Sequence, residues 1–414
     1  MLTAQQAIDH LLSHATPVGE SETVTMQTAL GRVLAQDVSS LVDVPPLDNT
    51  SMDGYAVRTA DTQNLGSMLK IAQRIPAGSI GRPLEPGTVA RIFTGAPIPT
   101  GADAVVMQED CAIPEGLSDQ VRVNIVPTSG QWIRRRGEDL TTGKTALTAG
   151  TFLRPQELGV AASAGLTHLN VKRRVKVAAF FTGDELSLPG EPLKPGGIYN
   201  SNRDTLLACI KSLGCDATDL GIVPDKLNAT REALRKASED HDLIITSGGV
   251  SVGEEDHIKP AVSAEGRLDL WQIAIKPGKP LAFGAVRKSA NTNEAESESA
   301  AEAWFIGLPG NPVSSFVTFL LFVRPFILKL QGRVSGQPQS YPMRADFDWL
   351  KADRRNEFLR VKINAQGGLD LFPNQSSGVL TSASWGDGLV DCPPGQAFKS
   401  GDLVKYIPFN SLLS

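Results

Sequence analysis

The sequence predicts an α/β fold joined to β-rich units, and three observations carry that reading. From about residue 174 to 330, apolar strand-like runs alternate with helical runs, the pattern of a mostly parallel sheet with helices on both faces. Residues 45–139 are rich in Gly and Pro and hold short β-type runs such as TVARIFTG and QVRVNIVP. Beyond about residue 331, SYPMRADFDWL, EFLRVKI, LDLFPN and DLVKYIPF read as the short strands of a small barrel or sandwich. A chain of 414 residues has room for about two to four such units.

Taken in order, the first element is a helix. Ala4, Ala7, Ile8, Leu11, Leu12 and Ala15 share one helical face. This opening stretch lacks a basic n-region and a long apolar core, so it does not read as a signal peptide. RPQELGVAASAG predicts a short helix ending near Gly165. RVKVAAFF reads as a buried strand. NRDTLLACIKSLG reads as a helix capped by Ser201 or Asn202 and ended by Gly214. ATDLGIV is the next strand, NATREALRKASED the next helix and DLIIT a further strand, with another helix expected after Gly253. LDLWQIAI, PLAFGAV and AWFIGL predict strands, and NPVSSFVTFLLFVRPFILKL a closing helix with Pro312 in its first turn. The longest apolar run, Phe316 to Val323, is too short to span a bilayer. Residues 287–303 are polar, acidic and low in complexity, and read as a flexible insertion on the edge away from the ligand rim.

Composition narrows the function classes. A formal net charge of -5 argues against nucleic-acid binding driven by bulk charge. Four cysteines, Cys111, Cys209, Cys215 and Cys392, form no CxxC pair, and the five histidines are scattered. Free thiols in a reducing cytosol are expected, with no structural zinc and no disulfide framework. The expectation is a soluble cytoplasmic protein.

The chemistry-bearing residues collect where strands end. Thr182-Gly183-Asp184-Glu185 follows one strand, Pro224-Asp225 the next, and Ser247-Gly248-Gly249-Val250-Ser251-Val252-Gly253-Glu254-Glu255-Asp256 the third. Lys276-Pro277-Gly278-Lys279-Pro280 and Leu308-Pro309-Gly310-Asn311-Pro312 follow two more. In an open α/β sheet the carboxyl ends of the strands form the ligand-binding edge. Clustered carboxylates suit a hard divalent cation such as Mg²⁺. Lysines three apart suit an oxyanion, and a Gly/Ser loop lets backbone N–H groups approach phosphate. Taken singly, each stretch is more often a tight turn, a capped strand exit or a solvated hairpin. Together they describe a site for a phosphate ester or anhydride with a metal. Glu254 and Glu255 read as first-turn helix acids, favoured there by the dipole alone.

Other motifs fail. GEDLTTGKT has five residues between its first Gly and the GK pair, where a P-loop has four. The run Arg134-Arg135-Arg136 with Glu138 and Asp139 reads as an anion contact or a solvated turn. No nucleophile elbow, HExxH pair or dinucleotide fingerprint is present. PPLDNTSMDGYAV, with Asp48 and Asp53, reads as a polar turn before a strand; chain order does not place it on the rim, and one route there is across a dimer.

DNTSMDGYAV, IFTGAPIPTGADAVVMQED, RRRGEDL, FFTGDEL, SGGVSVGEEDHIK, AIKPGKPLAFG and GLPGNPVSS, in this order, closely resemble the MoeA / gephyrin E-domain family. The resemblance covers nearly the whole chain. It implies an elongated chain of about four subdomains: an N-terminal helix over 1–26, subdomain I over 27–44 and 140–173, a β-rich subdomain II over 45–139, a Rossmann-like, three-layer, MogA-like molybdopterin-binding subdomain III over 174–330, and a C-terminal β-barrel over 331–414. It implies insertion of molybdate into adenylyl-molybdopterin with release of AMP and dependence on Mg²⁺. It implies a homodimer whose active site is shared between subunits, with transient contacts to the adenylyltransferase and to molybdopterin synthase. Nucleic acid and membrane are not among the expected partners.

Carried onto this sequence, the functional positions are Asp53, Thr94, Asp139, Glu185, Asp225, Lys276 and Lys279. Substrate and phosphate would meet Ser247, Gly248, Gly249, Ser251, Gly253, Pro309 and Pro312. The metal would meet Asp256, Glu185 and Asp225. One departure is Asn200 in IYNSN, where the family usually has Asp. Two other readings stand beside this one: a molybdopterin adenylyltransferase on a similar α/β subdomain, and a gephyrin-like scaffold without catalysis.

Overall fold

The computed structural model describes residues 1–250, 257–288, 301–333 and 337–413. Two compact units are present, one of residues 1–22, 31–33 and 172–414, the other of residues 23–30 and 34–171.

Helix α1, Ala4–His14, starts at a capping box: the Thr3 hydroxyl accepts from the Gln6 N–H, and Gln6 Oε1 accepts from the Thr3 N–H. Its stripe residues Ala7 and Leu11 are fully buried in one cluster with Phe283, Phe326 and Ile327. The N-terminal helix therefore belongs to the core of the first unit.

The second unit is built on a six-stranded sheet. Its strands are β1 (Gly54–Val57), β2 (Ser67–Ile75), β3 (Thr88–Ile92), β4 (Ala104–Met107), β5 (Cys111–Ala112) and β6 (Gln120–Val123), in the order β4-β1-β3-β2-β6-β5. Alternating residues feed two apolar clusters: Tyr55, Val57, Val89 and Val106 enter one, Ala56, Ala90, Ile92 and Val105 the other. A further cluster, with Leu34, Leu153 and Val171, packs under helix α2 (Pro155–Ser163). Pro155 opens α2, and Gly165 at φ 88° follows it.

The α/β sheet of the first unit comprises β7 (Lys176–Thr182), β8 (Asp216–Val223), β9 (Leu243–Ser247), β10 (Gly266–Gln272), β12 (Pro280–Arg287) and β13 (Glu302–Leu308), in the order β8-β7-β9-β13-β12-β10. Short β11 (Ile275–Lys276) lies in a different sheet. The first four strands are mutually parallel; β12 runs antiparallel to both of its neighbours, which restores β10 to the common direction. The sheet is mostly parallel, as the sequence predicts, with β12 its one reversed strand, and the loop from β10 to β12 opens on the rim where β7, β8, β9 and β13 end. At the opposite edge Arg287 pairs with Glu302, so the stretch between them leaves from the far side. Residues 289–300 of the acidic insertion lie outside the described residues.

Both faces of this sheet are covered. Val177, Ala179 and Phe181 point into a core shared with helix α3 (Ser201–Ser212), while Ala178 and Phe180 point into one shared with α4 (Leu227–Asp240) and α5 (Ile258–Glu265). Three local expectations need correction. Asn200, rather than Ser201 or Asn202, caps α3, its Oδ1 accepting from the Arg203 N–H. LDLWQIAI is two strands, because its last residues leave the α/β sheet and pair with the C-terminal unit. The closing helix is α6 (Pro312–Thr318), a π-helical turn over Phe319–Val323, and α7 (Arg324–Leu330). Pro325 lacks the N–H that a regular helix would bond one turn back, which accounts for the break. Pro312–Leu330 spans 19 residues with a mean hydropathy of 1.7, enough by length and composition to cross a bilayer, but 78% of that stretch is buried in the protein's own core.

The C-terminal part holds β14 (Tyr341–Arg344), β15 (Asn356–Ile363), β16 (Leu369–Leu371), β17 (Gly388–Cys392) and β18 (Leu403–Pro408). The path β15-β17-β18-β14 is hydrogen-bonded throughout, β16 pairs with the other edge of β15, and an Ala345–Leu369 bridge joins β14 to β16. That bridge closes a small barrel filled by Leu359, Val361, Val390 and Tyr406. β11 adds to the free half of the β15 edge, tying the barrel to the α/β sheet.

Candidate active site

A cavity of about 640 Å³ opens on the rim where β7, β9 and β13 end. Its wall takes Thr182 from the end of β7, Gly183 and Glu185 from the loop that follows, and Asn200 and Asn202 from the start of α3. Asp225 comes from the loop after β8, Ser247 ends β9 and Gly248 and Gly249 follow it, and Pro309 to Pro312 follow β13. Lys279 enters from the turn between β11 and β12. Loops far apart in sequence thus become neighbours because their strands share a direction.

The Gly-Gly turn is forced by space. Gly248 has φ 99° and Gly249 φ 65°. A Cβ on Gly248 would sit 2.5 Å from the Thr182 carbonyl oxygen, and one on Gly249 2.6 Å from Ile258 Cγ1. Only glycine allows this close approach.

The hydroxyl of Ser247 and the N–H of Gly248 are not free phosphate donors, as the sequence suggested. Ser247 Oγ donates to the Pro309 carbonyl at 2.9 Å, and the Gly248 N–H donates to the Leu308 carbonyl at 3.2 Å. Asn202 completes a latch: its Nδ2 donates to Ser247 Oγ at 2.8 Å and to the Gly310 carbonyl at 2.7 Å. One amide thereby ties α3 to the wall at the end of β9 and to the loop after β13. Replacing Asn202 by Ala removes both bonds and is expected to lower stability by about 1–3 kcal/mol, checked by urea unfolding. An unchanged midpoint would show that the latch holds nothing.

Two further polar atoms of the wall, Thr182 Oγ1 and Asn200 Nδ2, are buried without a hydrogen-bond partner among the described residues. Asn200 uses its oxygen on the α3 cap, which an amide serves as well as a carboxylate, and its nitrogen is left over.

Sequence reasoning missed two residues. Arg355 and Ser377 reach the same wall from the C-terminal barrel region. Arg355 is gripped by Asp353, with Nε to Oδ1 at 3.1 Å and Nη2 to Oδ2 at 2.9 Å, and these bonds hold the Asp353 carboxyl down to about 2. The Ser377 carbonyl accepts from the Val313 N–H at the start of α6 at 2.9 Å. Arg355 lies beside EFLRVKI, which reads as an ordinary strand; nothing in its pattern points to the rim.

Lys279 and Lys276, three residues apart, take different places. Lys279 is an exposed residue of the wall with no ion pair among the described residues. Lys276 is not part of the wall. Its Nζ is 2.8 Å from Glu357 Oε1 and 3.8 Å from Asp353 Oδ2. Their spacing and the family resemblance both point the two lysines at the oxyanion; the strand break carries Lys276 into the ladder with β15.

Glu185 and Asp225 bring two carboxylates to the cavity. Among the described residues no group of three or more acidic, His or Cys side chains is gathered for a metal. Two hard oxygen donors fit Mg²⁺, which accepts few protein ligands and completes its shell with phosphate oxygens and water. Asp256, Ser251 and Gly253 lie outside the described residues.

Asp53, Thr94 and Asp139 belong to the second unit. Asp53 Oδ1 accepts from both the Thr94 N–H and the Thr94 hydroxyl, each at 2.7 Å. The N–H bond above all lowers the Asp53 carboxyl from its ordinary value, so the two residues form one group. Asp139 is exposed, its N–H donating to the Val44 carbonyl. Arg135 pairs with Asp48 and Arg136 with Asp43, each at 2.6 Å, so these arginines are neutralised locally. The Thr142 N–H, more than the Arg136 pair, holds the Asp43 carboxyl down to about 2.

Comparison with known proteins agrees with this architecture along the chain. Residues 2–165 match the family described as "MoeA N-terminal region (domain I and II)", residues 178–329 the "Probable molybdopterin binding domain", and residues 342–409 the "MoeA C-terminal region (domain IV)". The chain is 40% identical over 375 residues to the molybdopterin molybdenumtransferase of Haemophilus influenzae, covering 90% of this chain and 89% of that one. It is 35% identical over 403 residues to that of Nostoc sp., covering 94% and 89%. A solved structure of the molybdopterin biosynthesis moeA protein of Pyrococcus horikoshii OT3 superposes with a TM-score of 0.82 at 27% identity, covering 99% of this chain and 100% of that one. The chain belongs to the molybdopterin molybdenumtransferase (MoeA) family of transferases.

Proposed function

We propose that this protein inserts molybdate into adenylyl-molybdopterin and releases AMP in a Mg²⁺-dependent step. The observation that carries the reading is one cavity in which the cations Lys279 and Arg355 share a wall with the carboxylates Glu185 and Asp225, beside a glycine turn that admits no side chain. Such a site suits two anionic substrates side by side: a tetrahedral oxyanion and a phosphoanhydride.

Lys279 and Arg355 hold the oxyanion. Positive groups fixed in place before reaction stabilise charge without reorganising. Arg355 is fixed by Asp353, and Ser377 sets the adjoining turn through Val313. Molybdenum, part of the substrate, exchanges one oxygen for the two dithiolene sulfurs, that oxygen leaving with the two thiol protons as water, and water adds across the phosphoanhydride bond to give AMP and the phosphate of the pterin. Glu185 and Asp225 would hold Mg²⁺ on the phosphate oxygens, where it supplies charge neutralisation at the breaking bond. Asn202 and the glycine turn hold the loops that carry these groups. In this reading Asp53, Thr94 and Asp139 act in a site shared between the two subunits of a homodimer.

The test is AMP release from adenylyl-molybdopterin on adding molybdate and Mg²⁺. Glu185→Gln and Asp225→Asn are each expected to slow it by about 10–100-fold and to raise the Mg²⁺ concentration needed for half-maximal rate. Unchanged rate and Mg²⁺ dependence in either variant would remove that residue from the metal site. Formation of adenylyl-molybdopterin from ATP and molybdopterin would favour an adenylyltransferase instead.

A further inference from the structure

Behind Arg355 lies a set of charges that the oxyanion contacts do not use. Lys276 and Glu357 are register partners in the parallel ladder of β11 and β15. Glu357 is 2% exposed, and both of its oxygens are engaged: Oε1 accepts from Lys276 Nζ at 2.8 Å and Oε2 from Trp349 Nε1 at 2.8 Å. A carboxylate bonded at both oxygens on a central strand has no freedom to swing. Lys276, 42% exposed at its side chain, is therefore held from its buried side. It stands 3.8 Å from Asp353, which grips Arg355. The four charges form one chain, Glu357–Lys276–Asp353–Arg355, of which only Arg355 lies on the cavity wall.

We propose that Glu357 is a positioning residue of the reaction, fixing Lys276 so that it acts on the oxyanion through Asp353 and Arg355 rather than by touching it. The inference rests on the reading of the cavity as an oxyanion site. Its physical basis is charge balance. Asp353 lies beside two cations, so Arg355 is only partly neutralised and keeps a positive face for the substrate. Without its anchor, Lys276 is free to turn towards solvent, and Asp353 then binds Arg355 alone. The positive face weakens and shifts at the moment it must match the transition state.

The experiment measures kcat, the KM for molybdate and thermal midpoint for Glu357→Gln, which keeps shape and removes charge, beside Lys276→Met and the double variant. Glu357→Gln is expected to lower kcat by about 10–100-fold, the scale of a small misplacement, with a KM for molybdate no higher than that of the wild type. The double variant should be no worse than Lys276→Met alone, since both changes break one contact. Trp349→Phe, which removes one donor to Glu357, should give a smaller loss in kcat. If Glu357→Gln does not fold, Glu357→Asp, which draws the carboxylate back by one methylene, should lower kcat at a nearly unchanged midpoint. A kcat within about twofold of wild type together with a lowered midpoint would show that Glu357 serves only the fold, and would overturn the proposal. A raised KM in Lys276→Met equal to that of Lys279→Met would also overturn it, by showing direct contact. Failure of the wild type to release AMP with molybdate would instead defeat the proposed reaction itself.

Discussion

Lys279→Met is expected to cut kcat/KM for molybdate by about 10²–10³-fold while leaving the fold intact. Two facts separate these effects. Lys279 is an exposed wall residue without an ion pair among the described residues, so its loss leaves no stranded charge. Its proposed work is to hold an oxyanion in place, and removing one preorganised charged contact typically costs that much. Lys279→Arg should recover part of the activity, because charge is kept while the point geometry of the ammonium is not. Arg355→Met should behave differently. It would also leave Asp353 without its main partner, so a lower unfolding midpoint should accompany the lost activity. Steady-state kinetics at varied molybdate, with thermal unfolding of the same samples, distinguishes the two. Lys279→Met with near-normal kcat/KM would take Lys279 out of the oxyanion site.

The second large effect is steric. Gly248→Ala is expected to destabilise the first unit by about 2–5 kcal/mol and to abolish activity. The new Cβ would lie 2.5 Å from the Thr182 carbonyl oxygen and 3.2 Å from Thr182 Oγ1, on a residue held at φ 99°. Neither Thr182, in a central strand, nor the turn, tied to Leu308 and Pro309, can yield freely. Gly310→Ala is the matched control on the facing loop. A Cβ there meets only Gly248 Cα at 3.8 Å, an ordinary contact. Denaturant unfolding of the pair should show a large loss for the first and little for the second. Equal stability would mean that the turn tolerates a side chain and that its glycines serve something other than close packing.

The fold and half of the site are legible in the sequence because both depend on local pattern. Alternating runs such as RVKVAAFF and DLIIT place strands, the strands share a direction, and their exits share a rim. Glu185, Asp225, Gly248, Lys279 and Pro309 follow from that logic, and the cavity brings them together. What escaped depends on pairing across long separations. Arg355 and Ser377 reach the wall because the barrel region joins the α/β sheet through β11 and through the Val313–Ser377 bond, and no local pattern announces a two-residue strand that changes sheets. The same crossing removes Lys276 from the wall and gives it Glu357 as a partner 81 residues away. Asn202 reads as a helix cap in the sequence, yet the cap falls two residues earlier, on Asn200, and leaves the Asn202 amide to latch the loops. Ser247, too, has the right residue type for a phosphate cradle, but its hydroxyl is already committed to Pro309.

The central claim is that one cavity couples molybdate capture to release of AMP. Its most direct measurement is a single-turnover reaction of the purified protein with adenylyl-molybdopterin, Mg²⁺ and molybdate, following AMP and protein-bound molybdenum cofactor in the same samples. The account predicts that AMP and cofactor appear together in equal amounts, that neither forms without molybdate, and that Lys279→Met slows both alike. AMP release at full rate without molybdate, or molybdenum insertion with the adenylyl group still attached, would contradict it.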